Sequence, residues 1–122
     1  MAQDADGAIW VAHPYRGVYR IVLDIQNQKV KSLKLYNSKH GFPSDLFIHL
    51  FKIGDGIVFT GEKGVYSYNS KKDSFELSPE WSKLISPESR VHYLKEDKNG
   101  NIWFVIDYEV GQFRVKDLGV EK

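Results

Sequence analysis

An all-β fold of short antiparallel strands is what these 122 residues predict, and three observations predict it. A phrase recurs: DGAIWVAHPYRGVYRI at 6–21, DGIVFTGEKGVYSYN at 55–69 and NGNIWFVIDYEVGQFRV at 99–115. Each copy opens on a turn dipeptide, Asp6-Gly7, Asp55-Gly56 or Asn99-Gly100, of the kind that supplies the positive φ angles of tight hairpins. The glycines preceding the aromatic strand, Gly17, Gly64 and Gly111, are 47 residues apart in each interval. A period of about 40–50 residues is the size of one four-stranded propeller blade. Together these predict a partial β-propeller of about two and a half four-stranded antiparallel blades.

The first unit, 4–37, is expected to be partial and to lack its opening strand. Its strands b, c and d are read at Ala8–Ala12, Val18–Leu23 and Val30–Tyr36. The second unit, 47–78, is complete: a at Ile48–Ile53, b at Ile57–Thr60, c at Val65–Tyr68 and d at Ser74–Leu77. Ser78-Pro79-Glu80 has the look of a helix N-cap, first-turn proline and acidic residue, so one or two helical turns are expected across Trp81–Ile85. The third unit, 90–116, is again partial, with a at Val91–Glu96, b at Ile102–Ile106 and c at Gln112–Val115. A second anchor pairs His49 with His92 and Lys52 with Lys95, each 43 residues apart.

Several b and c strands are apolar on both parities; Ile102, Phe104 and Ile106 alternate with Trp103 and Val105. A sheet with one face in water alternates apolar with polar, so these strands belong in sheets covered on both sides, as blades stacked around an axis are. Two and a half blades do not close a ring. The expected end faces are apolar and unpaired, which predicts self-association through the cut blade faces. The polar start MAQDADG carries no secretion signal, and the chain reads as a piece of a larger protein.

Composition narrows the function classes. Hydrophobic residues are 42% and charged residues 27%, with a formal net charge of +1. That balance argues against a nucleic-acid surface, which shows as a clustered basic excess. There is no cysteine, which excludes disulfides and cysteine-based zinc sites. No apolar run approaches the ~18 residues of a membrane helix.

The phrase D-x-(D/N)-G-x-I-W, then G-(V/L)-Y, then G-(F/L)-P-S resembles the two-component regulator propeller repeat. The matching residues are Asp4 to Trp10, Gly17-Val18-Tyr19, Gly41-Phe42-Pro43-Ser44, and Asp97 to Trp103. The middle copy departs, with Val58-Phe59 standing where Ile-Trp is expected. The resemblance covers roughly 4–116. It implies the extracytoplasmic, periplasmic sensor region of a membrane-anchored bacterial regulator. It further implies a carbohydrate ligand, the remaining blades of a parent protein as partners, and no catalysis or cofactor of its own. The alternatives are a propeller enzyme acting on glycans, as lyase or glycosidase, and a protein-interaction scaffold.

Candidate ligand contacts are His13, Tyr15 and Arg16 in the first b–c turn, Trp81, and Tyr108 in the third b–c turn. An exposed turn carrying an imidazole, a phenol ring and a guanidinium can stack on and hydrogen-bond to a sugar. Against this stands an ordinary polar turn for His13–Arg16, and a hydrophobic plug between blades for Trp81. Trp10 and Trp103 are read as packing residues at one repeat position. No metal is expected: DADG and DKNG lack the late bidentate glutamate of a calcium loop, and two histidines do not make a zinc site. Asp4 and Asp97 are expected to cap their turns through side-chain to backbone hydrogen bonds.

Overall fold

The structure, a computed structural model, describes residues 1–114. These residues form eleven strands in three antiparallel sheets. The first sheet runs in the order β1 (Ala2–Gln3), β2 (Ile9–His13), β3 (Gly17–Asp24) and β4 (Lys29–Tyr36). The middle sheet runs β5 (His49–Ile53), β6 (Gly56–Thr60), β7 (Val65–Asn69) and β8 (Ser74–Leu77). The third sheet holds β9 (Val91–Glu96), β10 (Ile102–Ile106) and β11 (Glu109–Phe113). Each sheet is a meander of consecutive neighbours, the arrangement that short hairpin connections enforce. No sheet closes into a barrel.

The sheets differ from the sequence expectation in four places. The first unit does have an opening strand: Ala2 and Gln3 pair with Trp10 and Ile9. The helix expected over Trp81–Ile85 is a single 3-10 turn at Trp81–Lys83, with Ser78 Oγ accepting from the Trp81 N–H at 3.3 Å. A second 3-10 turn, Ser38–His40, is capped by Asn37. Strand c of the third unit begins at Glu109 and ends at Phe113; Val115, expected to finish it, and Lys116, expected to end the unit, lie outside the described residues.

Strand register corrects the alignment of the repeats. In the three sheets Ile9 pairs with Gln3, Ile57 with Lys52 and Ile102 with Glu96; Gln3 and Glu96 are the last a-strand residues, while Lys52 is followed by Ile53, which pairs with Gly56. Val58 packs toward the third sheet and Phe59 toward the first, as Trp10 packs toward the middle sheet, so Ile57-Val58, not Val58-Phe59, stands where Ile9-Trp10 and Ile102-Trp103 stand. By the same register Leu50, opposite Phe59, matches Leu94, opposite Phe104. His49 is then not the equivalent of His92, which falls at the β9–β10 register shift. A shift of one residue along a strand exchanges its faces.

The glycine anchor fails in the third copy too. Gly17 and Gly64 lie beside the β2–β3 and β6–β7 turns, with φ of +127 and +82. Gly111 lies in mid-strand opposite Phe104, and a Cβ there would sit 2.4 Å from Phe104 Cζ. The place of Gly17, opposite His13, is taken in the third sheet by Glu109, opposite Ile106. Gly111 leaves room for a ring rather than for a turn.

Two apolar clusters join the stack. The first lies between the first and middle sheets around Trp10, which is 1% exposed. Its indole meets Tyr36, Phe59, Tyr68 and Phe75 at centroid distances of 5.0–5.8 Å, three of the four edge-on, the arrangement that aromatic quadrupoles favour. The second cluster lies between the middle and third sheets: Val58, Val65, Ile85, Val91, Leu94 and Ile102 are buried, with Trp81, Phe104 and Phe113 packed against them. The middle sheet is thus apolar on both faces, as the double-parity pattern predicts.

Polar groups pin the same contacts. Asp73, in the β7–β8 turn, accepts from the hydroxyls of Tyr36 (2.6 Å) and Tyr68 (2.5 Å) and pairs with Lys34. Three donors hold its carboxyl far below the ordinary carboxylate range, Lys34 contributing most. Lys52 Nζ donates to the Gln3 carbonyl at 2.6 Å, and the Gly54 N–H donates to Glu96 Oε1 at 2.9 Å. The middle sheet is tied in this way to both neighbours.

Candidate functional site

The hairpin alternation places the β2–β3, β6–β7 and β10–β11 turns at one end of the stack, together with the two connections between sheets, residues 37–48 and 78–90. Cross-links at this end are dense. The Gly64 N–H donates to the Ser89 carbonyl at 2.8 Å. Arg90 and Asp107 are joined twice: the Asp107 N–H donates to the Arg90 carbonyl at 2.8 Å, and the Arg90 N–H donates to the Asp107 carboxylate Oδ1 at 3.0 Å. The Arg90 guanidinium lies 4.3 Å from the Phe47 ring centroid and 3.9 Å from Glu62 Oε1. Phe47 and Asp107 both adopt left-handed backbone conformations, φ 62 and 53. For the bulky Phe47 such backbone costs energy; at Asp107, as at Gln28 and Asp73, it is the ordinary geometry of a hairpin turn.

Between the second connection and the β10–β11 hairpin runs an open groove of about 360 Å³. Its aromatic wall is Phe104 and Phe113, whose rings lie 4.6 Å apart, with Tyr108 at the rim. Its polar side is formed by Ser86, Ser89 and Glu109. Aromatic surface flanked by a few hydroxyl and carboxylate groups suits a ligand with apolar faces and a hydroxylated edge. A larger depression, about 610 Å³, lies at the tip of the β3–β4 hairpin. It is an open concavity of one hairpin, and its Asp24 carboxylate is occupied by the Asn27 side-chain and backbone N–H groups; the cross-linked end is the better candidate.

The sequence-derived site residues divide. Tyr108 stands at the groove rim, its side chain fully exposed. Trp81 lies in the connection that forms the opposite wall, but its ring is half-buried against the second cluster, which is the plug arrangement. His13, Tyr15 and Arg16 occupy the β2–β3 turn at the same end but line a different part of it. There His13 Nδ1 accepts from the Tyr15 N–H at 3.2 Å, and the rings lie 6.3 Å apart. Phe47, Ser89, Arg90 and Glu109 were not singled out in the sequence. They belong to connections and strand ends that carry no repeated signal. Among the described residues no group of three or more His, Asp or Glu side chains comes together in a way that would hold a metal ion.

The two tryptophans of the phrase are held identically and placed differently. Asp4 Oδ2 accepts from Trp10 Nε1 at 2.8 Å, and Asp97 Oδ2 accepts from Trp103 Nε1 at 3.0 Å. In both turns the other carboxylate oxygen accepts two backbone N–H groups, from Asp6 and Ala8 or from Asn99 and Asn101. Trp103 nevertheless is 47% exposed, because it faces away from the middle sheet. The acids cap their turns as expected; the indole contact is an additional role. Compared with family models, with curated proteins and with solved structures, the chain matches none.

Proposed function

We propose that the three sheets are consecutive blades of a β-propeller, and that the chain is a non-catalytic ligand-sensing part of a bacterial two-component-type receptor or regulator. The ligand is a carbohydrate, and the location is the periplasm. The observation that carries the ligand reading is the groove with its Phe104–Phe113 wall, Tyr108 at the rim, and Ser86, Ser89 and Glu109 opposite. Sugar rings present apolar C–H faces for aromatic stacking and equatorial hydroxyls for such a polar edge. The blade reading is supported by three stacked meanders joined through alternating apolar faces. The receptor and periplasmic parts rest on the resemblance of the repeated phrase.

Ligand binding is tested on the whole chain with a panel of neutral and acidic oligosaccharides, by saturation-transfer NMR and calorimetry. Binding to a subset, weakened at least ~10-fold by Tyr108→Ala, is the expected result. Absence of binding across the panel overturns the carbohydrate reading. Cleavage products in the same mixtures would favour the glycan-enzyme alternative.

A further inference from the structure

We propose that Asn99 is a site of spontaneous deamidation in the folded chain, and that the isoaspartate formed there releases the indole of Trp103 from Asp97. The reaction needs neither an enzyme nor a ligand, only water. Asparagine is among the thermally labile residues. The backbone nitrogen of the following residue loses its proton to solvent base and attacks the side-chain Cγ. A C–N bond forms, the Cγ–Nδ2 bond breaks, and ammonia leaves with a proton from water. Water then opens the five-membered succinimide at either carbonyl, giving aspartate or isoaspartate; nothing is oxidised or reduced. Glycine in the following position removes the Cβ that otherwise shields the attacking nitrogen, and Asn99-Gly100 is the one Asn-Gly pair of the sequence.

The fold selects the same residue. Three of the other four asparagines have their carboxamides occupied. Asn27 Nδ2 donates to Asp24 at 2.8 Å, and Asn37 Oδ1 accepts from the Lys39 N–H at 3.0 Å. Asn69 Oδ1 accepts from the Lys71 and Lys72 N–H groups at 3.0 and 3.1 Å. The fourth, Asn101, is followed by Ile102, which is β-branched and buried. Asn99 is exposed in the β9–β10 turn, and its carboxamide has no hydrogen-bond partner among the described residues. Only its N–H is engaged, by Asp97 Oδ1 at 2.8 Å. The restraint on attack is the Gly100 N–H, which donates to the Asp97 carbonyl at 3.1 Å; in an exposed turn such a bond opens by local fluctuation.

The two products differ in what they disturb. The matching turn of the first sheet holds Asp6 where Asn99 stands. There the Asp6 N–H donates to Asp4 Oδ1 at 2.9 Å and the Gly7 N–H to the Asp4 carbonyl at 3.1 Å, so aspartate fits this turn without change. Isoaspartate adds a methylene to the main chain between residues 99 and 100. It shifts the Gly100 and Asn101 N–H groups off Asp97, which they bind at 3.1 and 3.0 Å. The displaced carboxylate then no longer holds Trp103 Nε1.

The test is peptide mapping of the full folded chain after incubation at mildly acidic and mildly alkaline pH, with aspartate and isoaspartate products separated. Asn99 is expected to convert at least ~10-fold faster than any other asparagine, and faster at the higher pH. The isoaspartate form is expected to show stronger acrylamide quenching of tryptophan fluorescence, while Asn99→Asp matches the unmodified chain. Trp103→Phe is expected to remove that difference, with the strand signal in circular dichroism kept throughout. An Asn99 that stays intact in the folded chain, or converts no faster than Asn37 and Asn69, overturns the proposal. So does an isoaspartate form that is quenched no more than Asn99→Asp.

Discussion

The carboxylate of Asp4 holds the indole N–H of Trp10 at 2.8 Å at the edge of the first aromatic cluster. Removing it by Asp4→Ala leaves a buried donor unpaired and loses two turn hydrogen bonds, a cost of about 1–3 kcal/mol. Asp97→Ala removes the same contacts around Trp103, but water can replace them there, so less than about 1 kcal/mol is expected. Urea titration followed by tryptophan fluorescence checks both values; equal losses would contradict the difference in burial.

Thr60 is fully buried, and its hydroxyl oxygen has no hydrogen-bond partner among the described residues. Valine has nearly the same shape without the unsatisfied group. Thr60→Val is expected to stabilise the fold by about 1 kcal/mol, visible as a raised thermal midpoint.

Asp73 supplies a pH dependence whose sign is fixed. Its folded carboxyl titrates below the ordinary 3.8, so the unfolded chain takes up the proton first as acid is added. The stabilisation is present above that range and is lost as pH falls through the depressed folded value. Because the side chain is 43% exposed, solvent screening limits it to about 1 kcal/mol or less. Asp73→Asn is expected to be less stable at neutral pH and to lose stability less steeply between about pH 4 and 2, as measured by thermal unfolding across that range.

Gly17 and Gly111 are expected to respond differently to alanine. At Gly17 a Cβ would lie 2.1 Å from the Tyr36 carbonyl oxygen, and φ is +127; neither backbone nor neighbour can yield cheaply, so more than about 3 kcal/mol is expected. At Gly111 the obstacle is the Phe104 ring, which can swing, so about 1–3 kcal/mol is expected. Gly111→Ala combined with Phe104→Leu recovers part of the loss if the ring is the cause, and chemical denaturation of the pair measures it.

Strand order was legible because glycine-bearing turns and double-parity apolar runs are local signals that act within one hairpin, although the middle turn is Gly54-Asp55 rather than Asp55-Gly56, Gly56 already belonging to β6. Register was less so. The interval of 47 between Gly64 and Gly111 matched that between Gly17 and Gly64, yet the β10–β11 turn is the two residues Asp107-Tyr108, against four between Thr60 and Val65. The shorter turn moves the third glycine into its strand. Likewise, the His49–His92 match ignored the longer turn that Asp97–Asn101 makes and the register shift in β9. The groove was legible only at Tyr108, since its walls come from 84–89 and 104–113, segments brought together by stacking and not by any spacing within one unit.

The two-residue Gly54-Asp55 turn of the middle sheet has no room for the aspartate that braces the other two, and its anchors are borrowed from Gln3 and Glu96. The three units are therefore not interchangeable modules. Reordering the gene so that the middle unit comes first or last would strip it of one borrowed anchor, whereas exchanging the outer two would leave each with its own brace. Any shuffling or consensus design based on these repeats has to treat residues 49–77 as a keystone rather than as a copy.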